Sequence, residues 1–490
     1  MTKFAATGHN AGVGDGGVFF GLLALLVWAP LPLGSNRVWA MGLLVLAAVL
    51  LLLGTLVAWR SQMSNAQARL YLFRWPLGLL AGMVLLAWLQ TVWLPAAWVQ
   101  VLSPNAAAAQ MPSEWMTLSV DVYQSRTMAA LCFVYGAVFL VTVMVVRDGP
   151  RLERLALVLV WSGVLQALLG VVLYSIKAQY TIFFNDVSHG DVIGSFVNRN
   201  HMAGYLCMCL SVGIGLMLAR LGHQTASHKD WRSRALAVIE FVLSDKMRLR
   251  LLLVIMVIAL VLTRSRMGNT AFFAAMLVVG LVAVVWARKT APQTVALIAS
   301  LVIIDIFVVG TWIGLEKVVE RIQETEVSAS AGGKSESIEV RSQPARDALP
   351  IVSDFPVFGT GGGSFYNVFM SYRQLDYGGG YVNYAHNDYI QIAVEYGLVG
   401  LGILGALVVL TLGTVLRVMA RRRSSLPRGI AFGVAMGIVA LLIHSTVDFN
   451  LQIPANALTI VVVLAMGWLS HTMKSGKLSR TAANEQGFDP

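Results

Sequence analysis

The chain has 490 residues, 57% of them hydrophobic and 12% charged, with a formal net charge of +11. Soluble domains run near ~45–50% apolar and ~25% charged, so this composition excludes an ordinary soluble domain. The three cysteines, Cys132, Cys207 and Cys209, all fall in apolar stretches; they form neither a disulfide framework nor a spaced metal site, and packing is the better reading for them.

A helix needs about 20 apolar residues to cross a bilayer. In chain order the stretches that approach this length are Val18–Leu33, Val38–Trp59, Leu77–Leu94, Met128–Val146, Leu155–Tyr174 and Met202–Ala219. A second set runs Leu251–Thr263, Asn269–Ala287, Thr294–Leu315, Ala393–Leu416, Gly429–Phe449 and Ala457–Met473. Leu251–Thr263 is short for a span and needs its flanks. The first stretch is not read as a cleaved signal peptide, because Lys3 and Asp15 precede it and no A-x-A-like site follows. The fold predicted is an all-α polytopic integral membrane protein of about 12 transmembrane helices. Residues 1–315 hold spans one to nine, 316–391 a large outward loop forming a small helical subdomain, 392–473 spans ten to twelve, and 474–490 an inner tail.

With the amino terminus inside, the inner segments hold 24 of the 36 Lys/Arg and 8 of the 25 acids. That is the positive-inside bias, so the basic excess reflects orientation and gives no nucleic-acid footprint. Arg421-Arg422-Arg423 and the Arg220–Arg250 segment read as orientation anchors.

The outward surface is less ordinary. Gly194-Ser-Phe-Val-Asn198-Arg199-Asn200-His201 opens the sixth span, and Thr263-Arg264-Ser265-Arg266-Met-Gly268 separates the seventh from the eighth. Both place arginine at the outer boundary, against the bias; snorkelling is the bland explanation. The loop from Glu316 to about Tyr389 begins with a polar Glu324–Ser337 stretch that reads as mobile. It continues through Arg341-Ser-Gln-Pro-Ala-Arg346-Asp347, Phe358-Gly-Thr-Gly-Gly-Gly-Ser-Phe365 and Tyr384-Ala-His386-Asn387-Asp388-Tyr389. Its glycines permit close backbone approach or positive φ at turns. A loop of this length is usually functional or disordered. Spans six, eight and ten all run inward, so Arg199, Arg264/Arg266 and His386 each precede an outward helix amino terminus. Such termini carry partial positive charge and unpaired N–H groups suited to phosphate. Three of them would make a strong anion site if they converge.

At these residues the sequence resembles the O-antigen ligase/polymerase family of bacterial envelope glycosyltransferases. The pieces are Asn198-Arg-Asn-His-Met-Ala-Gly204, Ser265-Arg-Met-Gly268, Phe355-Pro-Val-Phe-Gly-Thr-Gly361, and Ala385-His-Asn-Asp-Tyr389 followed by Glu395-Tyr-Gly397. Ala29-Pro-Leu-Pro-Leu-Gly34 with Trp39, Leu118-Ser-Val-Asp-Val-Tyr123 with Arg126, and His444–Asn456 are similar to the exopolysaccharide-polymerase branch. The resemblance implies a multi-pass protein of the inner membrane, with both termini cytoplasmic and the active site periplasmic. It implies transfer of a glycan from an undecaprenyl-diphosphate carrier to an acceptor hydroxyl, either another lipid-linked glycan (polymerase) or lipid A-core (ligase). Neither metal nor other cofactor is expected. The partners implied are that lipid-linked donor, the glycan or lipid A-core acceptor, the bilayer and envelope polysaccharide assembly proteins, with no nucleic acid.

Arginine suits a diphosphate because its planar fork stays charged and binds phosphate oxygens in pairs, which assigns Arg199 and Arg266 to that group with Arg264 as helper. His386 resembles the family's catalytic histidine, and an ordinary imidazole titrates near working pH, as a general base needs. Direct displacement with such a base inverts the anomeric centre. His201 is either a substrate ligand or a helix cap. Arg341 and Arg346 either grip donor sugar or phosphate or pair with Glu336 and Asp347. Asn387 and Asp388 complete the set; Asp388 is a candidate to orient His386, although residues two apart point to different sides. Glu395 is a candidate structural residue. Tyr366, Tyr372, Tyr377, Tyr381 and Tyr384 are candidates for sugar stacking or interface anchoring. A transporter of lipid-linked glycans is the main rival, but transporters place ionisable groups near the midplane, where Asp305 is the exception here. A non-catalytic envelope scaffold is the third reading.

Overall fold

The computed structural model describes residues 15–181, 183, 191–220, 245–286, 338–374 and 382–473. The ninth predicted span with Asp305, most of the Arg220–Arg250 segment, Glu324–Ser337 with Glu336, Tyr377, Tyr381 and the 474–490 tail lie outside the described residues. Among those described, every predicted span is a helix. They are α1 (Asp15–Trp28), α2 (Val38–Trp59) running on into α3 (Met63–Leu72), α4 (Arg74–Leu89), α7 (Val122–Val145), α8 (Gly149–Ser175) and α9 (Arg199–Arg220). After them come α10 (Asp245–Leu262), α11 (Arg266–Trp286), α15 (Asp388–Arg421), α16 (Ser425–His444) and α17 (Pro454–Thr472). Eight are long and apolar enough to cross a membrane by length and composition, with α1 and α4 shorter apolar helices. The fold is all-α and polytopic. In lipid every backbone polar group must be bonded internally, which is why such segments become helices.

Caps set the helix starts where hydropathy alone does not. Asp121 accepts from the Gln124 amide at 3.1 Å, so α7 begins well before the apolar run at Met128. Asp148 does the same for α8 through Arg151 N at 2.8 Å. The eleventh predicted span ends differently: the helix stops at His444 rather than Phe449, and residues 445–453 leave it as a loop.

Helix α9 is the central post, buried along nearly its whole length against α8, α10, α11, α16 and α17. Its crossing with α16 is backbone-close: a Cβ on Gly215 would stand 2.3 Å from Gly429 O, and one on Gly433 2.6 Å from Ser211 O. Small residues let helix backbones approach this way.

At one end a small cap covers the bundle. It contains α12 (Ile338–Asp347), α13 (Leu349–Asp354) and α14 (Phe365–Phe369), with a core of Ala348, Ile351, Phe355, Phe365, Val368 and Phe369. The long loop does not build the cap alone. The connection after α4 joins it through β1 (Leu94–Pro95), α5 (Ala96–Leu102), α6 (Pro104–Ala108) and β2 (Trp115–Met116), the strands pairing antiparallel. Ala106 enters the cap core, and Asn105 Nδ2 donates to Asp354 O at 2.8 Å.

Candidate functional site

Three helix amino termini meet at the cap end. The segment before α9 is held by Gln166 of α8, whose Oε1 accepts from Ser195 N at 3.0 Å, while Ser195 Oγ donates to Pro30 O at 2.6 Å. Asn198 caps α9 by accepting from Asn200 N at 2.8 Å. The Ala29–Gly34 turn packs here too, since a Cβ on Gly34 (φ 67) would lie 2.9 Å from Phe196 and 3.0 Å from Ile453.

The turn between α10 and α11 is tied to the same place. Val192 N donates to Leu262 O at 3.1 Å. A Cβ on Gly268 would come 2.6 Å from Ala203 Cβ, and Cys207 Sγ donates to Gly268 O at 3.4 Å. Ser265 Oγ caps α11 by accepting from Gly268 N at 3.2 Å.

The third terminus is α15. Asn387 caps it, its Oδ1 accepting from Tyr389 N (3.0 Å) and Ile390 N (3.1 Å), while its Nδ2 donates to Thr446 O at 2.9 Å. Asp388 is buried; it accepts from Ser445 Oγ at 2.7 Å and from Leu451 N at 3.2 Å. The α15 start is thereby fastened to the 445–453 loop. Just before it His386 stands at φ 51, a left-handed conformation in which histidine is uncommon. The neighbouring Ala385 N is pinned to Gln391 Oε1 at 2.7 Å, and Ala385 itself lies in the cap core.

Phe449 is the hub. Tyr384 stacks on its ring with centroids 4.2 Å apart, His386 meets it edge-on at 4.9 Å, and His201 edge-on at 4.6 Å. His201 Nε2 lies 3.6 Å from Asp448 Oδ1, with both side chains nearly fully buried. Burial alone would raise the Asp448 carboxyl, but His201, His444 and the Phe449 amide together hold it below the usual carboxylate range.

The arginines differ in their bonding. Arg199 is ion-paired with Asp191 at 2.7 Å. Arg264, at φ 53, and Arg266 are exposed, and neither guanidinium makes a hydrogen bond or ion pair among the described residues. Arg346 is exposed on α12, and Asp347 accepts from Gln343 Nε2 (2.8 Å) and Gln374 N (3.2 Å). Arg341 lies on the same helix. Helix α12 packs on α13, which packs in turn on α15. Tyr366 and Tyr372 sit in the cap, Tyr372 donating to Asp354 Oδ2 at 2.5 Å.

The glycine-rich loop repairs a break in α15. Gly397 has φ 64 and ψ −172, which interrupts the helix and orphans its neighbours' backbone groups. The loop supplies their partners: Thr360 N donates to Val394 O (2.8 Å), Gly361 N to Glu395 O (3.0 Å), and Leu398 N donates to Pro356 O (2.8 Å). Gln90 Nε2 adds bonds to Phe358 O (2.6 Å) and Glu395 O (2.7 Å). Gly359, Gly361 and Gly363 all have positive φ, and a Cβ on Gly361 would fall 2.2 Å from Ser119 Oγ. These glycines serve close approach within the protein. Glu395 is buried at the same break, its Oε1 accepting from Gln391 Nε2 at 2.6 Å.

Beneath Asp388 and Ser445 lies an apolar cavity of about 400 Å³ between α4, α7, α15, α16 and α17. Leu80, Met83, Met128, Ile392, Tyr396, Leu441 and Leu464 are among its lining residues.

Sequence reasoning missed Asp448, Phe449 and Asn456 as parts of the site, although it singled out their stretch. Asn456 Nδ2 donates to His201 O at 3.1 Å. The available signal was the cluster of polar residues interrupting an apolar run from His444 to Asn456.

Residues 251–405 match the family model described as O-antigen ligase. The match takes in Arg264, Arg266, Arg341, Arg346 and His386–Asp388, while Arg199, His201 and the Asp448 loop fall outside it. No curated protein matches the chain.

Proposed function

We propose that this membrane protein is a metal-independent inverting glycosyltransferase, a reading supported by the match of residues 251–405 to the O-antigen ligase family model. Its donor is a glycan on undecaprenyl diphosphate, its acceptor a sugar hydroxyl at the periplasmic face, and its product a lengthened polysaccharide. The observation that carries this reading is the convergence of three helix amino termini, α9 and α15 meeting on Phe449 and α11 meeting α9 at Gly268 and Ala203, each with Arg199, Arg264/Arg266 or His386 beside it; an apolar cavity adjoins the α15 terminus at Asp388. Arg266 and Arg264 offer two unengaged guanidinium groups for the diphosphate, and Arg199 contributes a third beside its Asp191 partner. The cavity volume lies in the ~300–1,000 Å³ range of small-molecule sites, and its apolar lining suits part of the polyprenyl chain.

The chemistry is a single displacement. The acceptor hydroxyl oxygen bonds to the anomeric carbon while the bond from that carbon to the diphosphate oxygen breaks. The leaving diphosphate keeps the electron pair, and the arginines meet its charge as it develops. The hydroxyl proton passes to the His386 imidazole.

The preference for chain extension over transfer to lipid A-core rests on Ala29–Gly34 and His444–Asn456. These two stretches, quoted for the polymerase branch, meet each other at the site through Gly34 and Ile453.

Glycan analysis in a deletion strain complemented with wild type, His386→Ala or Arg266→Ala tests the proposal, with membrane levels checked by immunoblot. Both variants should be present yet leave single repeats on the lipid carrier. Full-length polymer accumulating unattached would mean a ligase; normal glycan from both variants would overturn the catalytic assignment.

A further inference from the structure

The connection Gln90–Asp121 has two faces that differ in chemistry. Its inner face belongs to the protein: Val99, Ala107, Met116 and Leu118 are buried together with Phe358 packed on them. Its polar groups are used there as well, Gln110 Nε2 donating to Thr117 O at 2.7 Å and Asn105 Nδ2 to Asp354 O. The opposite face holds large apolar side chains left mostly uncovered: Trp98 is 62% exposed, Val101 82%, Met111 89% and Trp115 54%. Trp93 and Leu102 extend the same rim.

Neither α5, with 7 residues, nor α6, with 5, approaches the length that crosses a bilayer. The rim is nevertheless continuous with the lipid-facing surface of α4, where Trp88 and Leu89 are exposed at the helix end. Across Gln90–Asp121 the only charged residues are Glu114 and Asp121, and there is no Lys or Arg. Exposed tryptophans flanking a span mark the headgroup level of a bilayer, where an indole can be apolar on its face and bonded at its N–H.

We infer that Gln90–Asp121 is a membrane-inserted rim: α5 and the β1–β2 pair lie in the lipid leaflet at the cap end, with Trp98, Val101, Met111 and Trp115 in the headgroup–acyl boundary. The antiparallel pair, with Ala96 N donating to Glu114 O at 2.9 Å, keeps the two arms of the rim together. Because Asn105 holds Asp354 and Gln90 holds Phe358 and Glu395, the rim fixes the height of the cap, and of Ala385 and His386 with it, above the lipid. The occupant of the rim's outer face is phospholipid. This does not depend on the reaction assigned above.

The test uses nitroxide labels on the full chain in liposomes of bacterial phospholipid. Label sites are Trp98→Cys and Val101→Cys, with Leu50→Cys on α2 as the lipid standard and Asn367→Cys on the cap as the water standard. Cys132 is replaced by Ala, and the buried Cys207 and Cys209 are left in place. The labels at 98 and 101 should take up dissolved oxygen as the Leu50 label does and be shielded from a water-soluble nickel chelate. Collision with the chelate at the level of the Asn367 label would put the rim in water and overturn the inference. Shielding from both reagents would mean that a second copy or another protein covers it, and would overturn it equally. The two positions are independent, so failure of one variant to fold leaves the other to decide.

Discussion

His201 Nε2 lies 3.6 Å from Asp448 Oδ1, and this buried contact joins the first turn of the central helix to the loop between the last two. The same loop carries Phe449, against which His201 and His386 both rest. A change at Asp448 therefore reaches His386 through the Phe449 ring that both histidines share.

Asp448→Asn should lower stability by about 1–3 kcal/mol at neutral pH, the scale of losing a charged hydrogen-bonding partner in a buried site. Asp448 is held below its usual range, so its contribution is fully present above the ordinary carboxylate value of ~3.9 and is lost as pH falls below it. Thermal melts in detergent across pH 3–7 should show an acid limb in wild type that is flattened in the variant. Parallel acid limbs would deny Asp448 this role.

Replacing His386 separates strain from chemistry. Its φ of 51 costs a non-glycine residue about 1–2 kcal/mol. His386→Gly relieves that strain and removes the base together, so it should melt at or above wild type while transfer falls about 10²–10⁴-fold. His386→Ala keeps the backbone strain and should lose the same activity. Full transfer by either variant would remove His386 from the mechanism.

The Arg266 guanidinium is exposed and makes no bond among the described residues, so Arg266→Ala should leave the melting temperature unchanged. Transfer should drop about 10²–10³-fold if its guanidinium meets the leaving diphosphate. Arg266→Lys keeps the charge without the fork and should recover only part of the loss. An Arg266→Ala enzyme at wild-type rate would sink the assignment.

Two glycines of α15 should behave oppositely. Gly397 has φ 64, and a Cβ there would sit 2.2 Å from Val357 O, so Gly397→Ala should cost at least the ~1–3 kcal/mol of backbone strain. Gly402 has nothing within 4 Å, and Gly402→Ala should stabilise the helix by up to about 1 kcal/mol. Yield and melting temperature in detergent separate them; equal behaviour would mean that the glycine-rich loop does not hold the break.

Much of this molecule was legible in one dimension. Hydropathy and length are local properties, so the spans could be read from runs such as Val38–Trp59. The arginines beside helix starts, Arg199, Arg264 and Arg266, could be picked out by their departure from the expected charge bias. Helix ends were less legible where a cap decided them, as Asp121 does for α7. The eleventh span was read through to Phe449 because Val447 and Phe449 carry the apolar pattern past the polar Ser445, Thr446 and Asp448. The polar residues Asp448 and Asn450 have meaning only against His201 and Gly204, which come from another part of the chain.

The amino-acid order alone was enough to place the protein in a membrane, to locate its apolar helices, and to single out Arg199, Arg264 and Arg266 beside helix starts. It could do so because lipid imposes a length and an apolar composition on each helix separately. The placing of Phe449 between His201 and His386, and the repair of the break at Gly397 by the glycine-rich loop, came from the folded packing. The packing also turned the apolar face of Gln90–Asp121 outward. These are contacts between residues far apart in the chain, and their partners are chosen by how the helices pack.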